Sequence, residues 1–284
     1  MKNWKYLYAS VQGKGHIEEG VRCQDNCNVF ENGRYTICVV SDGAGSCENS
    51  DIGAEHVIKF ANIHFSKLIE KRNWHKGKRQ ISPKEWRNDS RKVLKAIRND
   101  LEKVSIQGYG LKSLSCTIIV VININSKLLV THIGDGRAGY CNHKDEWYSM
   151  LVPYKGTYNN ETVFITSDFW EDKDSFEKYI ESVIIEDKVK AFCLLSDGCE
   201  NASFECYHFD EKLQVSVDIN RPFKDFFSEN VNVHIPNLIK EGKTQMELNK
   251  IWESFLKNGN KVLQNEMDDK TMILAVKIPH KKNK

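Results

Sequence analysis

The sequence of 284 residues lacks the features that mark several classes of protein. Only five prolines occur, and no Pro- or Ser-rich linker or internal repeat divides the chain. The longest apolar run, near residues 118–124, is far shorter than the about 18 residues that a membrane span needs. The N-terminal segment has no long apolar core of the kind found in secretory signals. We therefore expect a single domain over residues 1–284 that is soluble and cytoplasmic, with no membrane partner.

An excess of charge of one sign is also missing, because the formal net charge is only +2. This balance indicates no nucleic-acid partner. The nine cysteines include no CxxC pair, and several lie in apolar runs such as ICVV and FCLL. Disulfide frameworks and zinc sites have other cysteine patterns, so we expect reduced, buried thiols. No GxxxxGKS or GxxxxGKT motif is present, which argues against a P-loop protein.

The sequence does contain short apolar segments rich in β-branched and aromatic residues. These predict strands at residues 6–11, 35–40, 116–124, 127–133, 191–196 and 271–278. Apolar residues at helical spacing predict a helix after Ser50, a second from about Lys84 to Val104 and a third from Met246 to Leu263. Between Asp197 and the third helix we expect a polar stretch followed by mixed helix. Strands in series and helices in blocks favour an α+β fold over a regular βαβ alternation.

Acidic residues follow several of the predicted strands. Three strands end in an Asp-Gly pair: Asp42-Gly43, Asp135-Gly136 and Asp197-Gly198. A single pair of this kind is typical of a hairpin turn. However, a helix follows Asp42, and no returning strand is predicted after Asp197. Two of the three pairs therefore fit a hairpin poorly.

Further acids precede two strands, namely Asp25 and the pair Asp268-Asp269. Carboxylates gathered at strand ends repel one another unless protons or cations compensate their charge. Oxygen ligands suit hard divalent ions such as Mg²⁺ and Mn²⁺. Two such ions about 3.5–4 Å apart are a common device for hydrolysing phosphate esters. The acids therefore point to a divalent metal site.

Six motifs occur along the chain in the order RCQD, VVSDGAG, a Ser-Cys-Thr strand, GDGRAGY, LLSDG and DDKT. In this order they resemble the metal-dependent protein phosphatases of type 2C, especially their bacterial branch, over residues 13–276. The resemblance implies two packed antiparallel β-sheets flanked by helix pairs. It also implies a serine/threonine phosphatase with two Mg²⁺ or Mn²⁺ ions and a third, weaker metal site. The expected partners are a phosphorylated protein substrate and a serine/threonine kinase with the opposing activity.

The resemblance assigns roles to individual residues. Asp42 matches the acid that bridges the two metals, and Gly43 matches the residue whose carbonyl binds one of them. The remaining assignments are Asp197 and Asp268 as further ligands, Asp25 as a ligand or holder of metal-bound water, and Asp135 as ligand of the third metal. Asp25, Asp42, Asp197 and Asp268 are thus the predicted catalytic residues. A metal-activated water is the implied nucleophile, so no cysteine or histidine nucleophile is needed.

The chain departs from the family pattern at three positions. Gln24 stands where many members have an acid. Ala44 stands where animal members often have a histidine, so we expect water to protonate the leaving group. Gly20 replaces the usual phosphate-binding arginine, and Arg22 is the nearest candidate to replace it, with His16 a weaker one.

These departures leave two alternatives to a protein phosphatase. One is a pseudophosphatase that binds a phosphoprotein without cleaving it. The other is a metal-dependent hydrolase of nucleotides or small phosphoesters, since the metal motifs do not distinguish among substrates.

Overall fold

The computed structural model describes residues 3–155, 162–211 and 214–278. Its strands form two five-stranded antiparallel sheets and a separate two-stranded hairpin. The strands are β1 (Trp4–Val11), β2 (Asn26–Glu31), β3 (Tyr35–Ser41), β4 (Ile118–Ile124), β5 (Lys127–Ile133), β6 (Arg137–Asn142), β7 (Trp147–Ser149), β8 (Glu181–Ile185), β9 (Val189–Leu195), β10 (Phe204–Asp210), β11 (Val215–Pro222) and β12 (Lys270–Lys277). The α-helices are α1 (Lys14–Glu19), α2 (Ser50–Arg72), α3 (Pro83–Ser105), α4 (Lys173–Tyr179), α5 (Glu200–Ser203), α6 (Lys224–Glu229), α7 (Ile235–Lys240), α8 (Gln245–Asn258) and α9 (Lys261–Asn265).

The two sheets draw their strands from different parts of the chain. One sheet has the order β1-β12-β9-β6-β7, and the other has the order β2-β3-β4-β5-β8. The last strand, β12, pairs with the first, so that Trp4 lies opposite Lys277. The chain therefore crosses from one sheet to the other between β1 and β2, β5 and β6, β7 and β8, and β8 and β9. Two of the predicted acids, Asp25 and Asp135, lie in the first two of these crossings.

The core strands alternate their side chains between two apolar layers, as the period of two in a strand requires. In β3, Cys38 and Val40 pack between the two sheets. Ile37 and Val39 face the opposite side and pack with the buried faces of α2 and α3. Strand β12 alternates in the same way, with its outer face against α8. The molecule is thus an α-β-β-α sandwich, which confirms the predicted α+β fold.

Helix α3 shows how local sequence fixes one of the outer layers. Ser82 caps the helix by accepting a 3.2 Å hydrogen bond from the Glu85 N–H, and Pro83 occupies the first turn. Both features favour a helix start. Trp86 is fully buried, and its Nε1–H donates to the Val130 carbonyl at 2.8 Å. This bond ties α3 to strand β5.

Two of the expected elements are wrong in part. The third predicted helix is interrupted, because α8 ends before Gly259 and Asn260 caps a separate helix, α9, by accepting from the Leu263 N–H at 2.9 Å. The expected polar and mixed-helical stretch after Asp197 contains the hairpin β10–β11, which lies between α5 and the helices α6 and α7. The hairpin segment FECYHF is rich in aromatic residues, and VSVDI alternates β-branched with polar residues, and both features are typical of strands. Short strands β6, β7 and β8 were also missing from the prediction.

The described part of the chain holds no helix with both the length and the hydropathy that crossing a bilayer requires. All nine cysteines are free, and six of them are buried, as the sequence predicts. Burial raises the pKa of Cys116 to about 12. Such thiols stay protonated and are poor nucleophiles.

Candidate active site

Asp42 directly follows β3, and hydrogen bonds to the chain before β4 fix its backbone. The Asp42 N–H donates to Thr117 Oγ1 at 3.1 Å, and the Thr117 N–H donates to the Asp42 carbonyl at 2.8 Å. The Ser41 hydroxyl also donates to the Thr117 carbonyl at 2.7 Å. The Asp42 side chain therefore projects from a rigid support rather than from a free turn.

Gly43 continues this pairing with an isolated bridge to Cys116. The hydrogen bonds that flank this bridge are made by the residues on either side of Gly43. The Asp42 carbonyl accepts one of them, and the Ala44 N–H donates the other to the Ser115 carbonyl at 2.9 Å. Within the described residues, the Gly43 carbonyl itself accepts no hydrogen bond. It is therefore available to another ligand, as the predicted metal role requires.

Gly43 also needs to be glycine for a steric reason. A Cβ at this position would lie 2.5 Å from the Gln24 carbonyl oxygen and 3.0 Å from Ser50. The main chain of Gln24 thus passes directly against Gly43. Because β2 pairs with β3 so that Asn26 lies opposite Ser41, this approach brings Asp25 beside Asp42.

Asp25 is 8% exposed, and its Oδ2 has no hydrogen-bond partner in the described part of the chain. Burial raises its pKa well above the usual range, and the negative charges of Asp269 and Asp268 raise it further. The nearby hydroxyl groups of Ser196 and Thr271 act in the opposite direction. Asp25 is therefore a buried carboxylate with no cationic partner in the part of the chain that the structure describes.

Asp197 follows β9 in the other sheet and opens a short 3₁₀ turn. Burial, followed by the charges of Asp135 and Asp268, raises its pKa to about 7. Its Oδ1 is buried and unpaired among the described residues. The next residue, Gly198, lies so close to Asp269 that a Cβ would sit 2.1 Å from the Asp269 carbonyl oxygen. The chain just after β9 is thus packed against the chain just before β12.

Asp135 lies in the crossing from β5 to β6, which are in different sheets, so its Asp-Gly pair is not a hairpin turn. Burial raises its pKa to about 6, the nearby Lys155 lowers it, and the charge of Glu200 raises it. Asp268 precedes β12 and is exposed, and its Oδ1 accepts from the Asp269 N–H at 2.7 Å.

The electrostatics of Asp42 show that these acids share one centre. Burial raises its pKa, and the charges of Asp25, Asp197, Asp135 and Asp268 each raise it further. Four acids from separate connections of both sheets are therefore close enough to Asp42 to oppose its ionisation. Such an arrangement is favourable only with bound protons or cations.

The donor set fits a hard divalent ion. Two buried carboxylate oxygens, Asp25 Oδ2 and Asp197 Oδ1, and the Gly43 carbonyl have no partners within the described residues. The described residues include no group of three or more acids, histidines or cysteines that could hold a metal ion between them. Mg²⁺ does not need three protein ligands, because it is usually held by one or two carboxylates and keeps several waters. The site therefore suits Mg²⁺ or Mn²⁺ with mixed protein and water ligands.

Asp269 is a residue of the site whose role the sequence did not reveal. It is 2% exposed, and its carboxylate accepts from the Gly13 N–H at 2.8 Å and from the Gln24 N–H at 2.6 Å. His16 Nδ1 lies 2.9 Å from the same carboxylate. Asp269 thus binds α1 and the segment before Asp25 to the start of β12. The only hint in the sequence was the doubled acid in DDKT.

A buried ion network lies beside Asp135 and was also missed. Arg137 is fully buried, and its guanidinium donates to Glu200 at 2.8 Å and to Asp218 at 2.9 Å. Lys155 Nζ also donates to Glu200, at 2.8 Å, and to the Tyr207 hydroxyl at 2.9 Å. The network links β6, α5 and the hairpin β10–β11 beside Asp135.

Arg22, the predicted phosphate-binding residue, lies at the surface. Its side chain is 74% exposed, and its guanidinium pairs with Asp51 in the first turn of α2 at 3.0 Å. The structure brings Asp25, Asp42, Asp135, Asp197 and Asp268 together, and Arg22 stands apart from them in this ion pair. Its role stays a prediction.

The fold and the centre together are those of a metal-dependent hydrolase. The sequence pattern of one family, described as protein phosphatase 2C, matches residues 12–237. The chain belongs to this family. It is also 25% identical over 281 residues to serine/threonine-protein phosphatase 3 of Escherichia coli strain K12, covering 96% of this chain and 98% of that protein.

Solved structures show the same fold. A bacterial serine phosphatase superimposes with a TM-score of 0.59 at 14% identity, over 97% of this chain and 98% of that chain. The phosphatase Stp1 from Staphylococcus aureus gives a TM-score of 0.55 at 14% identity, over 95% and 94% of the two chains. The catalytic domain of PstP in complex with two manganese ions gives 0.54 at 13% identity, over 98% and 99%.

Proposed function

We propose that the protein is a Mg²⁺- or Mn²⁺-dependent serine/threonine phosphatase that removes phosphate from phosphoproteins. The observation that carries the proposal is the acidic centre, in which the charges of Asp25, Asp197, Asp135 and Asp268 add to burial in raising the pKa of Asp42. Beside it, the Gly43 carbonyl has no hydrogen-bond partner among the described residues. The metal complex of the related PstP domain supports the choice of ion. We expect two ions, with a third in the weaker site.

The proposed ligands follow the geometry of the centre. Asp42 and the Gly43 carbonyl would hold the ions from one sheet, since that carbonyl has no hydrogen-bond partner among the described residues. Asp197 and Asp268 would hold them from the other sheet, Asp25 would hold an ion or its water, and Asp135 would hold the third ion. When bound, the ions activate water and neutralise charge on the phosphoryl oxygens.

The chain itself supplies position and access. Hydrogen bonds to Thr117 hold the Asp42 backbone, so the carboxylate does not need to be ordered when a substrate arrives. Gly45 and Ser46, which follow on the rim, are exposed and small. A phosphorylated side chain on a protein surface can therefore reach the centre.

The biological setting is part of the proposal. We propose that residues 1–284 form one domain, supported by the pairing of the first and last strands. We further propose a cytoplasmic signalling role opposite a serine/threonine kinase, with the phosphoprotein as partner. The names of the bacterial relatives support the choice of substrate.

The test is hydrolysis of an aryl phosphate by the purified full chain with Mn²⁺, with Mg²⁺ and after chelation. We expect turnover with either ion and its loss in chelator. Full activity after thorough metal removal would contradict the metal mechanism. Inactivity with every divalent ion, together with retained phosphopeptide binding, would favour the pseudophosphatase.

A second comparison identifies the substrate class. Phosphoserine and phosphothreonine peptides are assayed beside nucleotides and small sugar phosphates. We expect the peptides to give the higher kcat/KM. The reverse order would support the small-molecule phosphohydrolase.

A further inference from the structure

A groove on the outer face of the sheet that contains β1 plays no part in the proposed reaction. It lies between α8 and the segment that runs from α6 to α7, and it holds a volume of about 570 Å³. Leu7 on β1 lines this groove and pairs with Leu274. Lys270, which follows the acids of the DDKT motif, pairs with Val11 instead. Leu7 is thus four residues, or about 13 Å, along the strand from the residue that pairs next to those acids.

Apolar side chains form the floor and both walls of this groove. Leu7 and Trp252 belong to the buried core under α8 and form the floor. Phe226 of α6 and Phe255 of α8 contact each other from opposite walls, with ring centroids 5.7 Å apart. Ile251 lies on the same wall as Phe255 and is 38% exposed. An apolar concave surface that stays open to solvent is typical of a site that binds another molecule.

The rim of the groove is acidic. Asp225, Glu229 and Glu241 lie on the side of α6 and α7, and no lysine or arginine of the described residues lines the groove. Within the described part of the chain, Asp225 and Glu241 make no ion pair, and Glu229 pairs with the exposed His234 at 3.3 Å. An apolar groove with an uncompensated acidic rim is complementary to a positively charged partner.

The wall formed by α6 and α7 also contains an unusual helical turn. Residues Asn230–His234 form a π-helix between the two α-helices. Asn230 and His234 both line the groove. Single π-helical turns inside α-helices are rare, and many of them lie at functional sites. This turn is a second feature, independent of charge, that points to the same wall.

We propose that this groove binds a basic segment of a partner protein, in which large apolar side chains are flanked by lysine or arginine. The apolar side chains occupy the space between Phe226, Ile251 and Phe255, and their removal from water stabilises the complex. The cations pair with Asp225 and Glu241, and these acids disfavour acidic segments. The proposal does not depend on the phosphatase activity, because no acid of the catalytic centre lines the groove.

The first test identifies what the groove binds. A displayed library of random linear peptides is selected on the immobilised full chain, and the enriched peptides are titrated in solution against the wild type and Ile251→Asp. We expect peptides that combine apolar residues with a net positive charge. Their binding to Ile251→Asp should be at least about tenfold weaker, because a buried apolar contact is lost. Acidic or uncharged peptides, an absence of enrichment, or equal binding to the variant would overturn the proposal.

Matched variants separate the effect of charge from that of apolar contact. Asp225→Asn and Glu241→Gln should each weaken binding of the best peptide about threefold, the scale of an exposed ion pair, and less at high salt. Glu253→Gln removes an acid of α8 that does not line the groove and should change nothing. Met246→Asp is the control for Ile251→Asp, because Met246 is 70% exposed on the same helix outside the groove. Equal effects of groove and control variants would contradict the assigned site.

Three further results would overturn the choice of a partner segment. A wild-type dimer that Ile251→Asp dissociates, seen by sedimentation, would show that a second copy fills the groove. A chain ending at Ile278 that binds the peptide about tenfold more tightly would show that the basic residues 279–284 occupy it. Competitive inhibition of aryl phosphate hydrolysis by the peptide would place it at the acidic centre. Thermal unfolding checks that Ile251→Asp is folded, and the two acid variants carry the test if it is not.

Discussion

At the scale of single residues, Gly43 is fixed by its neighbours as much as by its proposed ligand role. Any Cβ there would press on the Gln24 carbonyl, 2.5 Å away, and on Ser50, 3.0 Å away. Gln24 contributes a main-chain atom and Ser50 begins helix α2, so neither can move away without a loss of stability. Gly43 therefore couples the stability of the loop to the placement of Asp25 and Asp42.

We predict that Gly43→Ala lowers the free energy of unfolding by about 1–3 kcal/mol, the usual range for overpacking. The same shift should displace Asp25 and reduce metal-dependent turnover. Denaturant unfolding measures the first effect. Gly45→Ala is the matched control for stability, because its Cβ would meet nothing nearer than Gln24 Oε1 at 4.0 Å. Equal stabilities of the two variants would contradict this reading of Gly43.

A second residue-scale prediction concerns His132 on β5, which is 3% exposed. Burial lowers its pKa to about 4, although backbone carbonyl groups near Gly134 and Val152 act to raise it. The unfolded chain, with a pKa near 6.5, binds the proton first, so stability is full above pH 6.5 and falls as the pH drops toward 4. The loss should approach about 1.4 kcal/mol for each pH unit below 6.5.

The measurement is denaturant unfolding from pH 8 to pH 5 for the wild type and for His132→Gln. The site acids contribute in the opposite direction, so the difference between the two proteins isolates His132. We expect this difference to shrink steadily below pH 6.5. A difference that is constant with pH would contradict the account.

The sequence predicted the acids but not what orients them. Asp42 and Asp197 stood out because an apolar strand leads directly into each Asp-Gly pair, which is a local pattern. Asp269 carries its role through contacts to Gly13 and Gln24, which are 256 and 245 residues away along the chain. No local pattern encodes contacts at that distance. The pairing of the largely exposed Arg22 with Asp51 likewise depends on a contact that no local pattern encodes.

At the scale of elements, the hairpin β10–β11 is joined to the sheets by a buried ion network. Arg137 on β6 is fully buried and donates to Glu200 on α5 and to Asp218 and Asn220 on β11. Removing one partner leaves buried charges without compensation, which is costly in a low-dielectric interior. The network should therefore determine whether the hairpin stays docked.

We predict that Arg137→Gln lowers the free energy of unfolding by about 3 kcal/mol, as for other broken buried pairs. Arg221→Gln is the matched control, because Arg221 is 63% exposed and pairs with Glu205 on the same hairpin. It should cost less than about 1 kcal/mol. Thermal and denaturant unfolding of both variants checks the prediction. Similar losses in the two variants would show that the buried network contributes little.

Long, strongly patterned elements were predictable, and short ones were not. Helices α2 and α3 and strands β3, β4, β5, β9 and β12 appear close to their expected positions, since their apolar residues repeat over several turns or pairs. Strand β7 has three residues and β8 has five, too few for a period to emerge. The break at Gly259 and the hairpin β10–β11 were not predicted, because helices lie next to both of them along the chain.

At the scale of the whole molecule, the two sheets bring together acids that are far apart in sequence. Asp25 and Asp42 flank strands of one sheet, Asp197 and Asp268 flank strands of the other, and Asp135 lies in the crossing between them. Packing the sheets face to face therefore assembles the centre. The fold contributes stability that offsets the mutual repulsion of the carboxylates until cations bind.

The central claim is that Asp42 bridges two ions in this centre, and calorimetric Mn²⁺ titration beside kinetics tests it most directly. Asp42→Asn should bind Mn²⁺ less well and lose turnover by about 10³-fold or more, the scale expected for a main electrostatic element. Asp135→Asn should keep the tight sites while its turnover falls, because the core pair of ions remains. If Asp42→Asn keeps the wild-type Mn²⁺ stoichiometry and rate, the acidic centre is not the catalytic metal site.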